Sequence, residues 1–313
     1  MNAKLFILAI LFSLSNLTFS QGNEKITHAD YNVSDQVALL QVSHLVVSEN
    51  ELELNPSSIE VFTFKNGLLT EKQYMIPNSY ASKQTFTYNG ANELISSTFM
   101  NGTSSGSGES KTTYEKSRTK NTEEEKVRDE TIGTHTYIYR TFDDNGNLLK
   151  KEVMNADRET SAVIEYGNQT RKEIEFKEGT PTSEVVYKLD ANGNLVQTRS
   201  GLTEADYFKT TDFLYNDKGD LLTELSYYSK QGVQEPYTHI KMYDYLYQGD
   251  YWVARAEYSN TAIDKTTPII IRGLQDVAGK QYALTTEQEV KSFAKQVFGK
   301  YDSLKQKLQQ HNQ

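Results

Sequence analysis

The stretch Tyr139-Arg-Thr-Phe-Asp-Asp-Asn-Gly-Asn-Leu-Leu-Lys-Lys-Glu-Val153 decides the fold, because its residue order is that of a β-hairpin. Aromatic and branched residues on either side suit extended strands. Between them, Asp143–Asn147 supplies the Asp, Asn and Gly residues that tolerate the positive φ angles of a tight turn. The stretch therefore predicts two antiparallel strands joined by a short turn.

The same phrase recurs down the chain, so the fold is expected to be repetitive. One unit spans roughly 20 to 30 residues, and one long step predicts a degenerate unit in Asn101–Gly133. Within that unit, Gly102–Gly108 has the composition of a flexible loop, and Thr122–Glu130 favours either a solvated edge strand or a short helix. The copies place a glycine at Gly67, Gly90, Gly146, Gly167, Gly193, Gly219 and Gly249, with steps of 23, 56, 21, 26, 26 and 30 residues.

Hydrophobic alternation between the turns indicates strands. Val185, Tyr187 and Leu189 alternate with charged residues such as Glu184, which predicts a sheet with one apolar and one wet face. In the last hairpins aromatic residues occupy both alternate positions, so the sheet there is expected to be covered on both sides. Near the N-terminus, β-branched residues predict a first strand from about Val42.

The end of the chain changes to helical spacing. After Pro268–Ile271, the expected last strand, Thr286 and Glu289 have the spacing of a capping box. They predict a helix that runs to about Gln310 and docks its apolar stripe on an exposed apolar edge or end of the sheet. The stripe comprises Val290, Phe293, Ala294, Val297, Phe298, Tyr301, Leu304 and Leu308.

These patterns predict a mainly β fold. We expect a long antiparallel meander of about fourteen to eighteen strands, either an open curved sheet or a partly rolled barrel, with one C-terminal amphipathic α-helix. The expected organisation is a signal peptide in residues 1–20, a polar leader in 21–41, a β-hairpin repeat domain in 42–272 and a helical segment in 273–313 docked on the sheet.

The first residues have the composition of a secretory signal peptide. Lys4 precedes the apolar run Leu5–Leu14, and small and polar residues follow. A run of about ten residues is too short to cross roughly 30 Å of hydrocarbon as a helix, so the pattern disfavours a membrane anchor. We therefore expect an exported protein, periplasmic or secreted, without a membrane span.

Charge and cysteine content argue against several classes of function. A net charge of −9 gives no attraction to nucleic acid or to an anionic membrane surface. The absence of cysteine removes disulfides, thiolate metal sites, a cysteine nucleophile and the lipid-anchored cysteine of bacterial lipoproteins.

The repeated phrase also carries a family resemblance. An aromatic residue, Asp or Asn, two variable positions, Gly, Asn or Asp, and Leu resemble the YD repeats of RHS-type bacterial proteins over residues 59–258. The chain is similar to the short exported proteins with such repeats that are common in Bacteroidetes. The resemblance implies a meandering antiparallel sheet and brings no activity. The toxin-enclosing shell and core of full-length RHS proteins cannot be placed here.

No sequence motif predicts a catalytic, cofactor or metal site. Gly102–Thr113 has the spaced glycines of a phosphate loop, but strand-forming residues follow where that loop requires a helix. Asp143–Asn147 lacks the sixth-position glycine and twelfth-position glutamate of a calcium loop. The five histidines include no pair at ligand spacing, and the 42 acidic residues offer too many pairs to select a glycosidase site.

Aromatic side chains in the last hairpins form the candidate binding surface, although cross-strand packing in a thin sheet also accounts for them. We expect an exported, non-enzymatic binding or scaffold protein of the bacterial cell envelope, with a glycan, a peptide or a protein as partner. The alternative is a glycosidase-like envelope hydrolase with paired carboxylates on neighbouring strands. The candidate surface comprises Tyr227, Tyr228, Tyr237, Tyr243, Tyr245, Tyr247, Tyr251, Trp252 and Tyr258.

Overall fold

The computed structural model describes residues 33–34, 36–48, 55–103, 106–201, 207–230, 233–259, 266–283 and 286–310. The expected signal peptide and most of the expected polar leader lie outside these residues. Within the described part of the chain, no helix combines the length and the apolar content needed to cross a membrane.

The described residues form nineteen strands and one helix, α1, Glu287–Gln310. The strands are β1 Val37–Ser48, β2 Ser58–Lys65, β3 Leu68–Ile76, β4 Tyr80–Tyr88, β5 Leu94–Thr103, β6 Gly106–Arg118, β7 Thr122–Asp129, β8 His135–Phe142, β9 Leu148–Met154, β10 Thr160–Gly167, β11 Thr170–Lys177, β12 Thr180–Leu189, β13 Leu195–Ser200, β14 Tyr207–Tyr215, β15 Leu221–Lys230, β16 Val233–Gln248, β17 Tyr251–Ser259, β18 Thr266–Asp276 and β19 Gln281–Tyr282.

The sheet closes on itself. Each strand pairs antiparallel with its neighbours in sequence, and β1 pairs both with β2 and with β18, so β1 to β18 form a barrel. The short β19 adds to β18 through the pairing of Leu274 with Tyr282. The meander is therefore a closed barrel and not an open sheet. Closure satisfies the edge groups that an open sheet would expose.

Two strand boundaries differ from the prediction. β1 begins at Val37, before the expected start at Val42. β18 continues to Asp276, and β19 follows it, so the sheet extends beyond residue 272. Both extensions pair with each other, because Val37 lies opposite Asp276. A contact between the two ends of the chain is not visible in local sequence patterns.

The degenerate repeat is a hairpin of two strands, β6 and β7. Its charged half is neither an edge strand nor a helix, because β7 pairs with β6 on one side and β8 on the other. Glu125 of β7 is 1% exposed, and Arg140 of β8 donates to it over 2.8 Å. The expected Gly102–Gly108 loop is also mostly strand, since Asn101 pairs with Gly108. Pairing across strands stabilises both segments.

The turns of the repeats all lie at one end of the barrel. Neighbouring strands run in opposite directions, so every second turn falls at the same end. We call this end the turn end. Its repeat turns lie at residues 66–67, 89–93, 119–121, 143–147, 168–169, 190–194, 216–220 and 249–250.

One side chain organises the longer repeat turn. The Oδ1 atom of Asp143 accepts hydrogen bonds from the backbone amides of Asn145 and Asn147 at 2.9 and 2.8 Å. Gly146 follows with a φ of 84°. Hydrogen bonds from Asn147 lower the pKa of the Asp143 carboxyl. The first residue accepts the same pair of amide bonds in the turns that begin at Asn89, Asn155, Asp190, Asn216 and Asp276.

Helix α1 packs against one face of the barrel, which we call the helix face. Phe293, Ala294 and Val297 contact Ala254 and Ala256 of β17 in a buried cluster. The same cluster includes Leu45 of β1, Ile269 of β18 and, partly buried, Met242 and Leu246 of β16. The prediction that the apolar stripe docks on an exposed edge or end of the sheet was wrong, because the sheet is closed and the helix packs on its face. The small side chains of Ala254 and Ala256 allow the helix to approach that face closely. The side chains of Tyr301, Leu304 and Leu308 lie outside the described part.

The predicted capping box is present at the start of α1. The backbone amide of Thr286 donates to Glu289 Oε2 over 2.9 Å, and the Glu289 amide donates to Thr286 Oγ1 over 3.2 Å. Both bonds satisfy amides that the first helical turn leaves unpaired.

A second apolar cluster lies at the turn end. It includes Leu40, Phe62, Phe64, Leu69 and Leu274. Register places Leu40, Phe62 and Leu274 side by side on the face opposite the helix. The barrel therefore has apolar clusters on both faces around β1 and β18. The aromatic residues of the last hairpins do not divide between the two faces as expected, because Trp252 lies opposite Tyr247 and shares its face.

Candidate functional site

Among the described residues, β17 and β18 share the fewest register pairs of any two neighbouring barrel strands. These strands share three register pairs, Ala254 with Ile271, Arg255 with Ile270 and Ala256 with Ile269. Toward the turn end, β18 pairs with β19, while the start of β17 stays paired with β16. The two strands therefore separate, and we call this junction the seam.

A cavity of about 360 Å³ lies at the seam. Its volume falls within the range of small-molecule sites in proteins, roughly 300 to 1,000 Å³. Val33, Tyr251 and Trp252 give it apolar walls. The polar walls come from Ser34, Lys218, Asp220, Asp250 and Arg272.

Polar contacts hold the chain around the cavity. The Gln248 side chain donates to the carbonyl of Ala283 over 3.0 Å and accepts from the Ala283 amide over 3.1 Å. The hydroxyls of Ser34 and Tyr251 lie 2.6 Å apart and share a hydrogen bond. These contacts tie the segment before β1 and the segment after β19 to the hairpin of β16 and β17, so parts of the chain far apart in sequence frame the cavity.

Trp252 is the centre of an aromatic and arginine cluster. Its side chain is 7% exposed, and the guanidinium of Arg272 lies 3.6 Å from the ring centroid. Arg255 lies 5.7 Å from the same centroid, and Tyr245 meets the ring edge-on at 5.8 Å. A guanidinium over an indole face gains cation–π attraction, which increases when the pair is shielded from water.

The tyrosines of β16 donate their hydroxyl protons to fixed acceptors. Tyr247 donates to Asp220 over 2.6 Å, Tyr245 donates to the Leu221 carbonyl over 2.7 Å, and Tyr243 donates to Glu224. Burial raises the pKa of Tyr245 to about 12, and it raises the pKa of Tyr243 and Tyr247 further with the help of the acceptor carboxylates. All three hydroxyls therefore remain protonated donors at neutral pH.

A hydrogen bond from a tyrosine hydroxyl to the backbone carbonyl of a leucine recurs along the barrel. Tyr88 donates to the Leu69 carbonyl over 2.8 Å, and Tyr215 donates to the Leu195 carbonyl over 2.7 Å. Tyr245 makes the equivalent bond to the carbonyl of Leu221. All three bonds end on the carbonyl of the leucine that follows an earlier repeat turn, and Tyr88 and Tyr215 stand directly before a turn of their own. Several tyrosines therefore serve the fold as well as any site.

The nine predicted surface residues do not form one surface. Tyr245, Tyr247 and Trp252 cluster on the face opposite the helix with Tyr243, and Tyr251 lines the cavity. Tyr228 instead stacks on Tyr207, with centroids 4.8 Å apart. Tyr227 and Tyr237 form a separate edge-on pair at 5.6 Å, and the Tyr258 side chain lies outside the described part.

The charged residues of the site were not predicted. Burial and the nearby charge of Arg255 lower the pKa of Arg272 to about 9. A sequence signal for both arginines exists, because each is a single cation in a run of small or apolar residues, Val253–Ala256 and Ile269–Arg272. Lys218, Asp220 and Asp250 lie in repeat turns. Turn formation alone explains polar residues there, so the sequence did not indicate that they belong to a site.

No group of three or more His, Asp or Glu side chains in the described ranges is placed to hold a metal ion. The lining of the cavity combines a hydroxyl, an ammonium group, the guanidinium of Arg272 and the carboxylates of Asp220 and Asp250 with aromatic rings. Such an arrangement can hold and orient a ligand.

Comparisons with known proteins leave the family open. No protein-family profile matches the chain, and no curated protein matches it. A porin-like protein from Bacteroides uniformis is similar in structure, at 11% identity and a TM-score of 0.39, over 77% of this chain and 98% of the other. The TcdB2-TccC3-TEV structure is similar at 11% identity and a TM-score of 0.22, over 83% of this chain and 19% of the other. Both scores lie below 0.5, so the barrel assignment rests on the strand pairings, and the YD-repeat resemblance stays a prediction.

Proposed function

We propose that this chain is an exported, non-enzymatic binding protein of the bacterial cell envelope, which holds a glycan, a peptide or a protein partner at the seam. The observation that carries the proposal is the cavity beside Trp252, framed by aromatic rings and charged groups. Ligand sites in proteins combine apolar walls with a few oriented polar groups in this way. Export remains the prediction from residues 1–20.

The position of the cavity supports a binding role. Elsewhere in the barrel, neighbouring strands pair over more positions than the three of the seam, as the six of β10 with β11 illustrate. Backbone pairing leaves no room for a ligand between such strands. At the seam, side chains occupy the space where backbone pairs between β17 and β18 are missing. The walls of the cavity come from separate parts of the chain. A ligand there can contact β17, β18 and two repeat turns together.

A pull-down with the full chain tests the proposal. Immobilised protein is incubated with solubilised envelope glycans and peptides, and the retained material is compared with that of Tyr251→Ala and Tyr207→Ala variants. Tyr251 lines the cavity, whereas Tyr207 is 46% exposed and stacks on Tyr228 instead. We expect Tyr251→Ala to retain several-fold less material and Tyr207→Ala to behave as the native chain. Equal retention by both variants, or none by the native chain, contradicts the proposal.

A hydrolase with paired carboxylates is the second candidate, because Asp220 and Asp250 line the same cavity. The glycosidase mechanism requires both carboxyl groups to face the bond that is cleaved. Asp220, however, is 7% exposed and accepts the Tyr247 hydroxyl. We therefore expect intact glycans after incubation with the chain. Release of reducing ends that stops in an Asp250→Asn variant favours the hydrolase instead.

A further inference from the structure

We propose that Asn66 is a site of spontaneous deamidation, in the short turn that joins β2 to β3. The chain contains five Asn-Gly pairs, and this order of residues favours the reaction because glycine has no side chain to obstruct ring closure. The hydrogen bonds of the folded chain set Asn66 apart from the others. The pairs are Asn66-Gly67, Asn89-Gly90, Asn101-Gly102, Asn145-Gly146 and Asn192-Gly193.

The reaction joins two groups of neighbouring residues. The backbone nitrogen of Gly67 gives up its proton to hydroxide and attacks Cγ of Asn66. The new N–C bond closes a succinimide ring, and the side-chain nitrogen leaves as ammonia. Water then opens the ring at either carbonyl, which yields aspartate or isoaspartate. An amide and water are thereby converted into a carboxylate and an ammonium ion, with no change of oxidation state.

Both reacting groups of the Asn66 turn are free. Asn66 is exposed, and its side chain makes no hydrogen bond within the described residues. In the same part of the chain, the amide of Gly67 donates none, because the pairing of β2 with β3 ends at Lys65 and Leu68. The φ angles of Asn66 and Gly67, 51° and 80°, are those of a tight hairpin turn. No hydrogen bond therefore has to break before the Gly67 nitrogen loses its proton.

At two other pairs the glycine amide is engaged. Gly146 donates to the carbonyl of Asp143, and Gly193 donates to the carbonyl of Asp190, each over 3.1 Å. A nitrogen that donates a hydrogen bond gives up its proton less readily, and its attack on the side chain requires that bond to break. These turns therefore protect the asparagines that precede the two glycines.

At the remaining pairs the asparagine side chain is held. Asn89 Oδ1 accepts the amides of Ala91 and Glu93, each over 2.9 Å, and Asn89 Nδ2 donates to the Glu93 carboxylate over 2.7 Å. Asn101 Oδ1 accepts the amide of Gly108 over 2.8 Å, in a strand that is paired on both sides. Both side chains are thus kept away from the nitrogen of the following glycine.

Isoaspartate at position 66 should change the fold locally. The main chain then runs through the former side chain and is longer by one carbon, which a tight turn cannot absorb without opening. Phe64 and Leu69 pair beside the turn and are 6% and 0% exposed. Strand β2 also pairs with β1, the strand that closes the barrel. Conversion should therefore loosen β2 and β3.

Peptide mapping tests the site. The full chain is kept at mildly alkaline pH, either folded or unfolded in urea, and tandem mass spectrometry follows the exchange of NH2 for OH at each Asn-Gly pair. In urea all the pairs should convert at similar rates. In the folded chain Asn66 should convert several-fold faster than any other pair, at a rate that rises with hydroxide concentration. Asn145 is the matched internal control, because its glycine amide is engaged.

Two results overturn the proposal: an Asn66 that stays intact in the folded chain while the unfolded chain reacts, or another pair that converts as fast as Asn66. The consequence for the fold is tested with Asn66→Asp, which reproduces one product and keeps the length of the main chain. Amides of β2 and β3 should exchange as in the native chain in Asn66→Asp, and faster in the separated isoaspartate form. Equal exchange in the two would contradict the loosening of β2 and β3.

Discussion

The hydroxyl of Tyr247 donates a 2.6 Å hydrogen bond to the carboxylate of Asp220, which joins strand β16 to the repeat turn before β15. Asp220 also closes that turn, because its amide donates to Asn216 Oδ1 over 2.9 Å. Asn216 in turn donates its side-chain amide to the Tyr247 hydroxyl. The turn chemistry of the repeat and the candidate site therefore share the same residues at this position.

Replacing Tyr247 with Phe should destabilise the barrel, because Asp220 is 7% exposed and loses its hydroxyl donor. A buried group left without its partner costs about 1–3 kcal/mol. Urea unfolding measures the change in the free energy of unfolding. Tyr207→Phe is the control, because Tyr207 is exposed and contributes its ring to a stack. A loss equal to that of the control would show that the bond to Asp220 contributes nothing.

Replacing Gly146 with Ala should cost about 1 kcal/mol, because its φ of 84° is unfavourable for a residue with a Cβ atom. An added Cβ meets nothing within 4 Å, so the cost is purely conformational. Gly90 is the matched control, since it also lies in a repeat turn with open space around it and has no positive φ. Thermal unfolding of the two variants makes the comparison, and equal melting temperatures would contradict this account of the turn.

Acid should weaken the turn at Asp143. Its pKa is lowered in the folded chain by hydrogen bonds from Asn147, whereas the unfolded value is about 3.9. The stabilisation is therefore present above about pH 3.9 and is lost as the pH falls through the lower, folded pKa.

The Asp143→Asn variant isolates this effect, because Asn performs the same role in the turns at Asn89 and Asn216. Its stability at neutral pH should be close to native, and its loss of stability between pH 5 and about pH 2 should be smaller. Asp217→Asn is the control, because the side chain that accepts the amide hydrogen bonds of that turn is Asn216. Its stability should depend on pH as that of the native chain does. Urea unfolding at each pH gives stability as a function of pH for the native chain and the two variants. If the three curves run parallel, the Asp143 carboxylate does not cause the loss of stability in acid.

Helix α1 should hold the seam closed. Phe293 is 4% exposed and packs in the cluster that contains Ala254 and Ile269, on the two strands that share only three register pairs. Phe293→Ala should cost about 3–5 kcal/mol. Hydrogen exchange of the amides at residues 254–256 and 269–271 should accelerate more than exchange in β10 and β11. Lys295→Ala, on the exposed side of the helix, is the control, and uniform acceleration across the barrel would contradict a role at the seam.

The hairpins and the helix could be predicted because their signals are local. Asp143 and Gly146 specify a turn within five residues, and Thr286 and Glu289 specify a helix start. The burial of Glu125 escaped prediction because its partner, Arg140, lies on the next strand and neutralises it there. A turn with the same hydrogen bonds begins at Asn155, at the opposite end of the barrel. It escaped prediction because Arg158, with a φ of 63°, stands where the turns at Asp143, Asp190 and Asn216 have glycine.

Closure and the site depend on contacts between distant parts of the chain. The pairing of Leu45 with Ile269 joins the first strand to the eighteenth, and no local pattern contains it. The cavity likewise requires Val33, Lys218 and Arg272 to meet. The aromatic residues of the site could be predicted from the concentration of tyrosines in the sequence. The two arginines could not, because they lie beside each other and are shielded from water only in the folded barrel.

The central claim is that ligands bind at the seam, and hydrogen exchange with and without solubilised envelope material tests it most directly. The account predicts slower exchange at residues 250–256, 218–220 and 270–273, with little change around the stacked pair of Tyr207 and Tyr228. Protection confined to that stacked pair, or no protection anywhere in the chain, would contradict it.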